Sequence, residues 1–163
     1  MPPPLAYFLT WTTYGTWLPG DERGWVDGHD EARHVPIQEP DPVRWGEAHS
    51  RMSDAAVTLD APMRQLVEEV ITADCAHRGW FLHAVSARSN HVHVVVSAGD
   101  VRPEKVAIMF KAYCTRKLKK LPGMAGRKDW WTENASKRYL DSEDSLQAAI
   151  RYVNGQDESW EKE

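Results

Sequence analysis

Apolar residues along this chain switch between strand-like and helix-like spacing, and the order of the switches predicts the fold. Ala6–Thr12 (AYFLTWT) is aromatic and β-branched and predicts a first strand. From Thr13 to about Asp60 no period holds, because Gly15, Pro19, Gly20, Gly24, Gly28, Pro36, Pro40 and Pro42 interrupt it. An elaborated loop with short structured pieces is expected there, held down by Trp17, Trp25 and Trp45. Asp60 as N-cap and Pro62 in the first turn open a helix, in which Leu66, Val67, Val70, Ile71 and Cys75 recur at helical spacing until Gly79. Trp80–Ala87 and His91–Ser97 read as strands joined by the turn Arg88-Ser89-Asn90. A helix from Pro103 to about Leu121 carries the stripe Val106, Met109/Phe110, Tyr113/Cys114, Leu118, and Pro122-Gly123 breaks it. Lys137–Leu140 predicts a short fourth strand. Asp141/Ser142 then cap a final helix, read as Ser142–Gln156, with Glu143 and Asp144 favourably in its first turn.

The resulting order is β-α-β-β-α-β-α, an α+β chain. Its first six elements match the ferredoxin-like βαββαβ arrangement, an antiparallel sheet with the first and third strands at its centre. A C-terminal helix and a long insertion after the first strand are added to it. One domain spanning 1–163, with 13–60 of uncertain structure, is expected from 163 residues that are 42% hydrophobic. No apolar run approaches a membrane span, and Met1–Trp11 lacks the features of a signal peptide, so a soluble cytoplasmic protein is expected. Cys75 and Cys114 sit in apolar helical patterns without metal-site spacing and read as buried free thiols.

Charge sharpens this picture only when it is mapped. The net charge is −4, yet Gly20–Asp60 carries about −6 and Arg102–Arg138 about +8. The second segment has the footprint of a phosphate-binding surface, or equally of a solvated helix face and loop.

Two features carry chemistry. His91 and His93 are two residues apart on a strand, so both imidazoles project from one sheet face and form a two-point metal clamp with room for further ligands. Tyr152 and Gln156 are four apart on the last helix, on a stripe with Ala148 that lies beside the expected core face of Leu146, Ala149, Ile150 and Val153. A tyrosine oxygen can attack a phosphodiester whose oxygens are polarised by a divalent ion. The phosphotyrosine keeps the energy of the broken bond, so rejoining needs no ATP, in keeping with the lack of a GxxxxGK[ST] loop.

On these residues the chain resembles the single-tyrosine HUH transposases, including the REP-associated tyrosine transposases. The resemblance lies in YFLTWTTYGTWLPGD, NHVHVVVS, WWTENASKRYLDSE and AAIRYVNGQ, and with the element order covers nearly all of the chain except about 23–60. It implies His91 and His93 as metal ligands, Tyr152 as nucleophile and Gln156 as third ligand, with Mg²⁺ or Mn²⁺ as cofactor. It also implies single-stranded DNA containing a hairpin as partner, cleaved and rejoined through a 5′-phosphotyrosine in DNA transposition, by a homodimer with shared sites or by a monomer. Arg116, Lys117, Lys119, Lys120, Arg127, Lys128, Lys137 and Arg138 are the expected DNA contacts, and Trp130 and Trp131 are expected either to stack on bases or to anchor the loop.

Three other readings compete. A domesticated relative would bind hairpins without cutting them. Tyr113, followed by Arg116 and Lys117, resembles the Tyr/Lys pair of rolling-circle initiators, although its place on the apolar stripe favours core packing. A histidine-motif nucleotide hydrolase would need a third alternating histidine, where this chain has Val95.

Overall fold

The computed structural model describes residues 3–15, 25–26, 37–52, 55–133 and 135–155. In chain order its elements are β1 (Ala6–Thr12), β2 (Trp25–Val26), β3 (Ile37–Gln38), α1 (Pro42–Ser50), α2 (Ala61–Arg78), β4 (Phe81–Ala87), β5 (His91–Ser97), α3 (Pro103–Leu118), β6 (Ser136–Leu140) and α4 (Glu143–Val153). β1, β4, β5 and β6 form one antiparallel sheet in the order β4-β5-β1-β6, so the first and third long strands are central. With α2 and α3 against it this is the ferredoxin-like arrangement, and α4 is the addition.

Strand alternation divides the interior into two cores. Tyr7, Leu9 and Trp11 of β1 and Val92, Val94 and Val96 of β5 pack with α2 and α3. Ala6, Phe8 and Val95 pack on the other side with Ala84, Leu140 and the Leu146, Ala149, Tyr152 and Val153 face of α4. The helix-pair side is the larger. Its three valines from β5 are fully buried, and each such side chain contributes about 1.5–3 kcal/mol of transfer free energy. Trp11 stacks on Phe110 of α3 at 6.2 Å, tying sheet to helix. Cys75 and Cys114 are free and buried on this side, and burial pushes their thiols up to about 11 and about 12, so they stay protonated and inert.

Helix boundaries follow the local chemistry. Asp60 caps α2 by accepting from the Met63 amide at 3.0 Å, and Ser142 and Ser145 close a capping box on α4. α3 ends at Leu118, one turn before the proline–glycine break expected to stop it. α4 stops at Val153 rather than continuing to residue 156, because Gly155 takes a left-handed conformation, φ 77°.

The insertion after β1 carries short structured pieces, as expected, but Trp45 does not anchor it. It contains a two-strand pair, β2 with β3, and α1, none of whose residues is buried. The Trp45 ring stacks on His49 at 4.9 Å and stays 39% exposed. Trp17 and the side chain of Trp25 lie outside the described residues. Among the described residues the firm attachment is at 55–60, where the Val57 amide donates to Tyr14 O (2.9 Å) and the Leu59 amide to Ser89 O (2.7 Å). Among the described residues no helix is long and apolar enough to cross a membrane.

Gly15 has φ 80°, and a Cβ there would overlap Met52 Cε and sit 3.0 Å from the Ala56 backbone. A Cβ on Gly155, at similar φ, would meet nothing among the described residues. Gly155→Ala should therefore cost about 1–2 kcal/mol of backbone strain, and Gly15→Ala clearly more, as read by urea unfolding. Equal losses would show that Met52 and Ala56 do not pack on Gly15.

Candidate active site

The register of β1 with β5 sets a row of polar groups on the α4 side. Thr12 is opposite His91 and Thr10 opposite His93, while Ser86 of β4 flanks His93 from the other edge. Partners across an antiparallel pair share a face, so the two threonines, the two histidines and Ser86 lie together, beyond the apolar patch of Phe8 and Val95.

The imidazoles of His91 and His93 are 4.6 Å apart, centroid to centroid. His91 Nδ1 lies 2.6 Å from Asn90 Oδ1, and His93 Nδ1 lies 2.8 Å from Thr10 Oγ1. His93 is only 5% exposed, and its Nε2 is buried with no hydrogen-bond partner. Burial, aided by the charges of His91 and Arg88, lowers its pKa to about 3. Its ring is neutral at physiological pH, as a metal-binding imidazole must be. An orphaned, neutral ring nitrogen beside a second imidazole suits a divalent ion. Among the described residues, however, no group of three or more His, Cys, Asp or Glu side chains could hold one, so two imidazoles are an incomplete set.

The last turn of α4 brings Tyr152 to this pair. Its ring centroid is 5.2 Å from His93 and 5.9 Å from Phe8. The buried arc of α4 is Leu146, Ala149, Tyr152 and Val153, whereas Ile150 is half-buried. The helix is thus rotated from the orientation its apolar residues suggest. The end of the sheet offers aromatic and imidazole edges to that turn, and these accept a tyrosine better than an isoleucine. Tyr152 is 6% exposed and part of the core, rather than beside it. Gln156 lies outside the described residues. α4 itself ends at Val153, with Asn154 as its C-cap.

Tyr113, the rival nucleophile, is on the opposite side of the sheet and is not in the core stripe either. Its ring lies between the guanidinium groups of Arg78 (5.6 Å) and Arg116 (5.2 Å), and Arg78 donates to its hydroxyl at 3.2 Å.

The basic segment reaches the same end of the sheet as the histidines. Beyond α3 the chain runs alongside β1: the Tyr14 amide donates to Trp130 O (2.9 Å), Thr13 bridges Trp131, and the Thr132 amide donates to Thr12 O (3.0 Å). Arg116, Lys117, Lys120 and Lys128 are exposed and Lys119 is half-buried. Arg127 and Lys137 are already engaged within the fold, Arg127 with Ala55 O and the Trp130 ring, Lys137 with Glu104. Arg138 is opposite Phe8 on the α4 side. Trp130 is buried, and Trp131 donates to Thr115 Oγ1 at 2.9 Å and packs edge-on against Trp11. Both anchor the loop in this way.

Sequence reading missed the polar partners of the site: Thr10, Asn90 as more than a turn residue, the Thr12–Thr132 contact (3.1 Å) and Lys111. Lys111 Nζ donates to Thr132 O (2.9 Å) and Glu133 O (3.3 Å), pinning the loop beside Thr12. Their contacts span elements or depend on the turn's conformation, which no single segment encodes.

Burial lowers Lys111 from the usual 10.5 to about 8. Between these values the folded chain has shed a proton that the unfolded chain keeps, so stability gains with rising pH across that window. Below pH 8 the penalty is constant. Compared with Lys111→Met, the wild-type chain should gain stability from pH 8 to 10 in urea unfolding. Parallel curves would show that the ammonium is not desolvated.

No family model matches the chain, and no curated protein matches it in sequence. Among solved structures it is similar to a REP-associated tyrosine transposase bound to a REP hairpin, at 11% identity and a TM-score of 0.49. That match covers 91% of this chain and 63% of the other, so the chain spans less than two thirds of that protein's length. It is also similar to a protein from Deinococcus radiodurans R1 provisionally assigned as a transposase, at 15% identity and a TM-score of 0.43, over 96% of this chain and 93% of that one. Both likenesses are distant, and neither assigns a role to a residue of this chain.

Proposed function

We propose that the chain is a single-tyrosine HUH-type transposase that cuts and rejoins hairpin-containing single-stranded DNA. The observation that carries this reading is the meeting of His91, His93 and Tyr152, from two separate elements, on one end of one sheet face. In this reading His91 and His93 hold Mg²⁺ or Mn²⁺, with Gln156 as the third ligand. The ion, when bound, polarises the phosphoryl oxygens of the scissile phosphate. Tyr152 Oη attacks the phosphorus, the 3′-hydroxyl of the upstream strand leaves, and the 5′-phosphate stays on the tyrosine. A 3′-hydroxyl then attacks the phosphotyrosine and restores a phosphodiester. Exposed cations at the end of α3 hold flanking phosphates, and the reaction belongs in the cytoplasm, beside genomic DNA. Dimer and monomer forms, with sites shared or complete in one chain, are both compatible with these roles.

The burial of Tyr152 favours a second reading, in which the tyrosine is purely a packing residue and the chain binds hairpins without cutting them.

Incubation with Mn²⁺ and single-stranded hairpin oligonucleotides from the repeats flanking the gene separates the two on a denaturing gel. A covalent adduct mapped to Tyr152, and lost in Tyr152→Phe, is the expected result. An adduct on Tyr113 would move the site, and tight binding without any adduct would establish the second reading. Binding should also weaken steeply with salt. Lys117→Gln and Lys120→Gln should each lower the slope of log affinity against log salt by about 1. An unchanged slope would remove the end of α3 from the DNA path.

A further inference from the structure

Resting on the metal-dependent reading above, we propose that Asn90 and Thr10 are positioning residues that lock His91 and His93 as Nδ1–H tautomers, so that Nε2 of each ring carries the lone pair a divalent cation would take.

For His91 the argument is one of hydrogen-bond roles. The atom 2.6 Å from its Nδ1 is the side-chain carbonyl oxygen of Asn90, which can only accept. Nδ1 must therefore donate, and a neutral ring then has its lone pair on Nε2. Asn90 is itself firmly placed. Its main-chain carbonyl accepts from the Thr13 amide at 2.8 Å and from Thr13 Oγ1 at 3.3 Å. The neighbouring Ser89 carbonyl accepts from the Leu59 amide at 2.7 Å, and the Arg88 amide donates to His91 O at 2.8 Å. The main chain of the turn is thus held from both sides, which fixes the point from which the Asn90 side chain reaches the ring.

For His93 two arrangements compete. Thr10 could donate to Nδ1, which would put the ring proton on Nε2, where it would be a buried donor with no acceptor. Alternatively Nδ1 donates to Thr10 Oγ1 and Nε2 carries only a lone pair. Orphaned buried N–H groups are rarer than orphaned acceptors, so the second arrangement is favoured. The same choice makes the orphaned atom a ligand in waiting. Thr10 sits on a central strand paired on both edges, with His93 on one side and Ser136 on the other, so its hydroxyl is placed by the register. Hydrogen bonds of this kind orient the ring and raise the basicity of the ligating nitrogen.

Two readouts on the full chain test this without DNA. Long-range ¹H–¹⁵N correlation spectra of the metal-free protein near neutral pH should show both rings protonated on Nδ1 and bare on Nε2. An Nε2–H tautomer at either ring would overturn the assignment for that ring. Titration with Mn²⁺ alone, followed by electron paramagnetic resonance, should show a roughly 10–100-fold loss of affinity in Asn90→Ala and in Thr10→Val. Asn90→Asp and Thr10→Ser, which keep the acceptor oxygen, should restore most of it in variants whose circular dichroism matches the parent. If His91→Ala weakens Mn²⁺ binding but Asn90→Ala and Thr10→Val do not, the positioning roles fail and the metal site stands. If His91→Ala leaves Mn²⁺ affinity unchanged, the metal-dependent reading fails, and this inference with it.

Discussion

The antiparallel register between β1 and β5 is the constraint on which the rest depends. Side chains alternate strictly along a strand, so a slip of one residue would send His91 and His93 to the helix-pair side and the valines to α4. The valines prevent it. Val92, Val94 and Val96 have a closed apolar layer to fill against α2 and α3, whereas the face toward α4 accepts polar groups at one end. Burial on one face thereby fixes the chemistry of the other. The same register places Thr10 and Thr12 beside the histidines and the Arg88–Asn90 turn against Thr13.

The α4 face is divided between packing and chemistry. At the end nearer Leu140 it is an ordinary apolar contact; at the other, an aromatic cluster of Phe8, His93 and Tyr152 closes the core. In this cluster His93 keeps an unmet nitrogen and stays neutral, both consequences of withdrawal from water. Charge is handled separately. Exposed lysines and arginines gather at the end of α3 and in the loop beyond, which runs along β1 next to the threonines. A chain that is acidic overall thus presents its cations at the same end of the sheet as its imidazoles.

Much of this was legible in the sequence, because the relevant signals are short-range. Alternation marked β1, β4 and β5, helical spacing with Asp60, Gly79 and Ser142 bounded the helices, and the HVH spacing placed both imidazoles on one face. The rotation of α4 was not legible. Ile150 and Tyr152 are comparably apolar in pattern, and the choice between them is made by the sheet they meet. Gly155 shows how one residue can shorten a helix: with its left-handed φ, α4 ends at Val153, earlier than its sequence pattern suggests. Thr10 and Asn90 were invisible as partners because their contacts span elements or need the turn's conformation. Arg127 and Lys137 looked like surface cations because composition cannot tell a phosphate contact from an internal one.

The central claim is that the imidazole pair and Tyr152 share one metal-binding end of the sheet while Tyr113 lies on the opposite side. Paramagnetic broadening by substoichiometric Mn²⁺, read on tyrosine ring signals assigned by Phe substitution, tests it most directly. The account predicts that the Tyr152 ring broadens first and that Tyr113 is spared, with the effect abolished in His91→Ala. Equal broadening of both rings, or broadening of Tyr113 first, would contradict it.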